Sequence, residues 1–423
     1  MRGLILLLYV SAVVATESPN STEDCSTPVW ARRALREAEL SVKVNEPMFP
    51  LVLSNEGAAG VKPTTSLKVL LDDLVRHRTT LRADLASHGA LLLRGFPIYE
   101  PNDFESVLLA LGLSLADQYK PADARRTLLT NYTFTAADTA GYHFIPPHHE
   151  QAYSTFRPGV ISFFCHTPPE QGGETPIFRT SNTLDELSPA FAARLRNTRV
   201  EHQRVYANQQ DGASGKLNFR ERLMRGMIDL LVKWLGLPLP PRTHHPPWQD
   251  VFQTAERSEA EAFAASLHLN LTFDEKTSAA HYRASVPSVV SHPVTGDERL
   301  VWQVPQWSYA SLRISHGLLD RDVPGRLSRI PFSWRACLAN CVVRVLNLNY
   351  QISYANGECI EPGLAETLVE LATRHGTYFH WLRGDVLVID NVNAMHARMP
   401  CTDPHRRILT AISDFYLVPS ANS

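Results

Sequence analysis

The 423-residue chain predicts an α+β fold with a mainly β core, a β-sandwich or barrel decorated by helices. Three observations carry that expectation. Short apolar runs of strand length recur toward both ends, "ALLLRGFPI" (90–98) and "GVISFFC" (159–165), then "RLVWQ" (299–303), "GDVLVID" (384–390) and "RRILTAISDFYLV" (406–418), the last three rich in β-branched residues. Segments with helical apolar spacing lie before and between them. The composition, 44% hydrophobic and 20% charged, is that of a globular chain able to bury a sizeable core.

The first element is "MRGLILLLYVSAVVATES", with Arg2 ahead of an apolar run from Leu4 to Ala15 and small residues before Thr16. This pattern predicts a signal peptide at 1–15, too short for the roughly 20 residues that span a bilayer. The mature protein is expected in the secretory pathway lumen or secreted, as a glycoprotein without stable membrane insertion. Asn20, Asn131 and Asn270 head Asn-x-Ser/Thr sequons, and all six cysteines (25, 165, 337, 341, 359, 401) follow the cleavage point. Asn131 is expected to stay unmodified because it lies close in sequence to the candidate site. Cys165 reads as a buried free thiol, while a disulfide among 337, 341, 359 and 401 stays open.

Residues 16–62 read as an irregular N-terminal arm, and 63–420 as the main domain. Leu67, Leu70, Leu71, Leu74 and Val75 form a helical stripe; a second helix around Thr80 to Ser87 stops at Gly89. Residues 103–112 and 184–196 also read as helical, and "GGETPI" as a turn leading into a strand. From Asn218, Phe219, Leu223, Met227, Leu230, Leu231 and Trp234 share one helix face, a packing stripe. The Pro-rich "LPLPPRTHHPPWQ" after it is irregular, with His244 and His245 solvated. Residues at about 200–280 therefore read as a helical insertion over the core. "GLAETLVELATRHG" (363–376) is a helix with a glycine stop.

A net charge of −2, from 41 basic and 43 acidic residues, offers no basic excess for nucleic acid. The chemistry concentrates in "IPPHHEQAYS" (145–154). The zinc-protease pattern H-E-x-x-H fails because position 153 is tyrosine. The alternative is His-x-Glu: on a strand, His148 and Glu150 point to one face and His149 to the other. His396 in "DNVNAMHARMP" is the candidate third ligand. Two histidines and one carboxylate make the facial triad that binds non-haem iron(II) and leaves positions open. A structural zinc site would fill four positions with protein.

With those flanks, "IPPHHEQAYS", "FFC", "GGETPIF", "GDVLVIDNVNAMHARMP" and "RRILTAIS" together resemble the taurine dioxygenase-like family of iron(II)/2-oxoglutarate-dependent oxygenases, in its clavaminate synthase-like branch. The resemblance runs over roughly 67–418 and is poor at about 200–280. It implies a double-stranded β-helix, or jelly roll, with flanking helices. It implies that His148, Glu150 and His396 hold Fe(2+) and that Thr175 contacts 2-oxoglutarate. An arginine pairs with the far carboxylate of 2-oxoglutarate. Alignment on "RRIL" favours Arg406 for that task, and spacing from the late histidine favours Arg407; Arg406 is the choice.

The implied activity couples decarboxylation of 2-oxoglutarate to succinate with O2-dependent oxidation, by default hydroxylation, of a small-molecule substrate. Where taurine dioxygenase carries a sulfonate-gripping arginine, this chain has Thr410 or Ala411, which argues against a small sulfonate. Glu150 argues against a halogenase. Two other readings are a secreted non-catalytic binding protein on the same barrel, and a lumenal oxygenase modifying peptide or glycan. The sequence sets no oligomeric state.

Overall fold

The computed structural model describes residues 27–41, 48–56, 62–120, 126–136, 145–209, 247–267, 269–303, 350–401 and 403–418. The expected signal peptide, the helix from Asn218, His244, His245, Asn20, Cys25, Cys337 and Cys341 lie outside these residues.

In chain order the strands are β1 (Ala31–Arg33), β2 (Leu51–Ser54), β3 (Ala90–Arg94), β4 (Phe134–Thr135), β5 (Ile145–His148), β6 (Phe156–Thr167), β7 (Ile177–Arg179), β8 (Val200–Tyr206), β9 (Asn270–Phe273), β10 (Ala280–Val286), β11 (Val289–Ser291), β12 (Glu298–Leu300), β13 (Tyr350–Tyr354), β14 (Gly376–Thr377), β15 (Val386–Asp390), β16 (Ala394–Arg398) and β17 (Arg407–Leu417). Seven of them form a major sheet in the order β1-β2-β3-β15-β6-β17-β4. Four form a minor sheet, β14-β7-β16-β5, and four more an outer sheet, β13-β8-β10-β9. β11 and β12 pair with each other.

The major sheet is covered on both faces, which explains why its central strands read as unbroken apolar runs. Leu51, Leu53, Leu91, Leu93, Val386 and Val388 pack against Leu70, Leu74, Leu81, Leu85, Phe104 and Leu108 of the helices Leu67–Arg76, Arg78–His88 and Pro101–Ala110. On the opposite face Val52, Leu92, Ile161, Phe163, Leu387 and Ile389 meet Ile177 and Ala394 of the minor sheet. Full burial of each such side chain contributes about 1.5–3 kcal/mol. This two-sheet core is the jelly roll the sequence implied.

The helix Arg78–His88 ends at Gly89, whose φ of +79° is the left-handed cap that glycine adopts without strain. Among the described residues, three segments differ from expectation. The arm 16–62 is not irregular throughout: β1 and β2 extend the major sheet, and β2 runs parallel to β3 with all four residues buried. The segment 184–196 is two helices, Thr183–Glu186 and Pro189–Asn197. Pro189 has no N–H to continue the first, and Ser188 caps the second. The insertion at about 200–280 is not purely helical, because β8 and β10 alternate buried and accessible positions and pair over seven residues. Its described helices are Trp248–Phe252 and Arg257–Ser266.

Cys165 and Cys401 are buried free thiols, and Cys359 is an exposed one. Asn131 and Asn270 are exposed. No helix among the described residues is long and apolar enough to cross a membrane.

Candidate active site

Strand pairing brings together what the sequence separates. β5 and β16 are antiparallel neighbours with His148 opposite His396. Their imidazole rings lie 4.3 Å apart between centroids. The expected strand through Glu150 ends two residues early, at His148, and Glu150 sits in the turn that follows. There the Glu150 carboxylate still meets both histidines: its Oε2 is 3.7 Å from His148 Nε2 and 3.7 Å from His396 Nε2. One ligand atom from each of His148, Glu150 and His396 lies within 4.8 Å of the others. Glu150 and His396 are buried, and His148 is half-buried.

These donors fit a metal ion. A gap of 3.7 Å is too long for a hydrogen bond. It is a gap that one ion with bonds of about 2.1 Å can bridge. His148 Nδ1–H donates to the Pro146 carbonyl at 2.8 Å, which leaves the Nε2 lone pair directed at the cluster. Burial, then the neighbouring His148, pushes the His396 pKa well down, so that imidazole is neutral. Burial alone would raise the Glu150 carboxyl; the close approach of His148 and the Arg126 guanidinium outweigh it and hold the group at about 2. For His396 and Glu150 these are the protonation states that ligation requires.

His149 points elsewhere, as expected. It is fully buried; its Nδ1 accepts from Trp302 N–H at 3.0 Å, and its Nε2 lies 3.3 Å from Thr180 Oγ1. Burial pulls its pKa down to about 3.

Thr175 is buried just ahead of β7 and accepts a hydrogen bond from Trp381 Nε1 at 3.2 Å. Arg406 lies outside the expected strand, in the turn before β17, and its Nε donates to Gly173 O at 2.8 Å. A Cβ on Gly173, at φ +66°, would come within 2.8 Å of the Arg406 side chain, so glycine makes room for the guanidinium there. Arg407 opens β17 and is exposed. The structure thus turns Arg406 toward the Gly173–Thr175 segment and Arg407 toward solvent.

Further residues, not singled out in the sequence, complete the surroundings. Arg126 Nη2 is 3.8 Å from Glu150 Oε1, and its guanidinium lies 4.1 Å above the Tyr119 ring. Arg398, two residues after His396 on β16, has its pKa pulled down to about 10 by burial and by the charges of Arg406 and Arg126. The Asn391 amide holds the Glu150 backbone at both its N–H and its carbonyl. In sequence Arg126 belongs to the isolated pair Arg125–Arg126, which reads as solvated surface, whereas the structure tucks it against Glu150 and Tyr119; Asn391 carries a faint signal as one of two asparagines in the short "DNVN" turn.

Two histidines on paired strands and a carboxylate in the adjoining turn, set on a two-sheet core, are the donor set of a non-haem iron oxygenase. Residues 54–412 match the family described as Taurine catabolism dioxygenase TauD, TfdA. The chain belongs to that family and is an iron(II)- and 2-oxoglutarate-dependent oxidoreductase. It is 25% identical over 367 residues to a clavaminate synthase-like protein of Arabidopsis thaliana, covering 86% of this chain and 93% of that protein. It is also 25% identical over 368 residues to the dapdiamide synthesis protein DdaC of Enterobacter agglomerans, with the same coverage. Among solved structures it is similar to the PvcB protein of Pseudomonas aeruginosa, at 15% identity and a TM-score of 0.47 over 92% of this chain and 93% of that one.

Proposed function

We propose that the protein hydroxylates a small-molecule substrate, converting substrate C–H, 2-oxoglutarate and O2 into the alcohol, succinate and CO2. The observation that carries this reading is the convergence of His148, Glu150 and His396 within 4.8 Å. When bound, iron(II) with 2-oxoglutarate supplies the oxygen activation.

The roles of the side chains follow from their positions. His148 and His396 would offer Nε2 lone pairs and Glu150 a carboxylate oxygen to the ion, three protein donors that would leave positions open for cosubstrate and O2. Thr175 Oγ1 accepts from Trp381 Nε1 and keeps its O–H to donate to a cosubstrate carboxylate. Arg406 is assigned the bidentate contact with the far carboxylate, supported by its inward course past Gly173 and by the exposure of Arg407. The apolar wall of Phe163, whose ring lies 5.0 Å from that of His396, excludes water from the ligand cluster. The apolar leader at 1–15 and the sequons support action in the secretory lumen or outside the cell.

The test is substrate-dependent succinate release by purified protein with iron(II), ascorbate and 2-oxoglutarate over a panel of small molecules, peptides and glycans. Succinate formed in step with hydroxylation of a small molecule is the expected result. Turnover confined to peptides or glycans would overturn the substrate class. No succinate with any compound would favour a non-catalytic binding protein.

A further inference from the structure

The strand that should carry both His148 and Glu150 stops at His148. Glu150 is followed by Gln151 at φ +54°, a left-handed conformation in a non-glycine residue. Ladder pairing therefore does not set the position of the carboxylate ligand. Something else must, because a ligand displaced by a few tenths of an ångström distorts the triad.

Asn391 occupies that place. Its Oδ1 accepts the Glu150 N–H at 2.7 Å, and its Nδ2 donates to the Glu150 carbonyl at 3.1 Å. The two bonds reproduce what a neighbouring strand would give a paired residue. Nδ2 also donates to the Pro158 carbonyl at 2.8 Å, so the amide spends both its donors and its acceptor inside the protein. Asn391 is itself buried and fixed, its own N–H donating to Gly159 O at 2.9 Å.

The turn that carries it is locked separately. Asp390 Oδ1 accepts from the N–H groups of Val392 and Asn393 at 3.0 and 3.2 Å. Its Oδ2 meets His292 Nε2 at 2.8 Å. Three residues beyond that turn, β16 delivers His396. One turn thus places His396 through the strand it begins and Glu150 through a side-chain clamp.

We propose that Asn391 is a positioning residue that sets the carboxylate ligand in register with His396 by standing in for a strand. This rests on the assignment of His148, Glu150 and His396 as the metal ligands. Loss of the clamp leaves the Glu150 N–H and carbonyl unpaired in a buried place and frees the ligand to shift.

The experiment is anaerobic titration with Co(II), a spectroscopically visible stand-in for iron(II), alongside thermal melts of the metal-free proteins. Asn391→Ala is expected to bind Co(II) roughly 10- to 100-fold more weakly than wild type. The d–d spectrum of what does bind should also change, which a general loss of stability would not cause. Asn391→Asp keeps the acceptor but loses both donors, is nearly isosteric, and should weaken binding similarly; it carries the test if the alanine variant does not fold. Asn393→Ala removes an amide from the same turn, one bonded to Ala86 O and Asp390 rather than to Glu150. It should lower the melting temperature and leave Co(II) affinity within about twofold of wild type.

The proposal is overturned if folded Asn391→Ala and Asn391→Asp match wild type in affinity and spectrum, or if Asn393→Ala weakens binding equally. His396→Ala separates the two levels. If it loses Co(II) while the Asn391 variants do not, the clamp is wrong and the triad stands; if it retains Co(II), the triad assignment falls and the clamp with it.

Discussion

Two four-stranded sheets in this molecule, the minor sheet β14-β7-β16-β5 and the outer sheet β13-β8-β10-β9, are built by opposite rules. The outer sheet follows periodicity. Val200–Tyr206 and Ala280–Val286 alternate buried and accessible residues in full register, and Tyr206, Tyr282, Trp248 and Phe252 pack into one cluster on its inner side. The minor sheet breaks periodicity. Its strands are two to five residues long, β5 reads Ile-Pro-Pro-His, and a shift of register interrupts its pairing with β16. The broken sheet carries the metal donors. Regular pairing fixes backbone, whereas a site needs side chains from distant segments at one point, and short strands and side-chain clamps supply that.

This contrast sets the order of expected effects. The largest lies in the minor sheet: His396→Ala should abolish substrate-dependent succinate formation while the far-ultraviolet circular dichroism stays that of the wild type. Retained turnover would break the link between that sheet and the chemistry. Next, Arg406→Ala should raise KM for 2-oxoglutarate roughly 10- to 100-fold, as expected for a lost charged hydrogen-bonded pair. Arg407→Ala should stay within about twofold, because Arg407 faces solvent. The reverse ranking would move the cosubstrate contact to Arg407.

The outer sheet should answer to pH rather than to cosubstrate. Burial, reinforced by the charge of Arg157, lowers the His202 pKa from 6.5 to about 3. Below pH 6.5 the unfolded chain takes up a proton that the folded chain refuses, so this residue costs stability as pH falls from 6.5 toward 3. His202→Gln should flatten the fall of urea midpoint across that window; an unchanged slope would contradict it. The smallest effect is expected at Arg283, an accessible position of β10, where alanine should change stability by less than about 0.5 kcal/mol and leave turnover unchanged.

What the sequence disclosed follows the same division. The buried strands 159–165, 384–390 and 406–418 and the helices from Leu67 and near Thr80 were legible from apolar runs and 3.6-residue spacing. β2 was not, because three apolar residues and a serine after a proline give no period to read. The 200–280 region concealed β8 because its buried face carries His202 and Arg204 and its open face Val205, which breaks the alternation of apolar and polar residues. At the site, residue type revealed His148, Glu150 and His396. The reason offered for the His148–Glu150 pair, alternation along a strand, is not what holds Glu150: the strand stops and Asn391 takes over. A side chain that bonds to the backbone of a residue 241 positions away leaves no local pattern. The different courses of Arg406 and Arg407 likewise come from the turn before β17 rather than from strand alternation.

The central claim is that three donors from β5, its following turn and β16 hold one iron. Anomalous X-ray scattering at the iron edge, on crystals of the anaerobic iron(II) and 2-oxoglutarate complex, tests it directly. The account predicts a single peak about 2.0–2.2 Å from His148 Nε2, a Glu150 carboxylate oxygen and His396 Nε2. A peak that lacks any of the three, or that lies elsewhere in the chain, would contradict it.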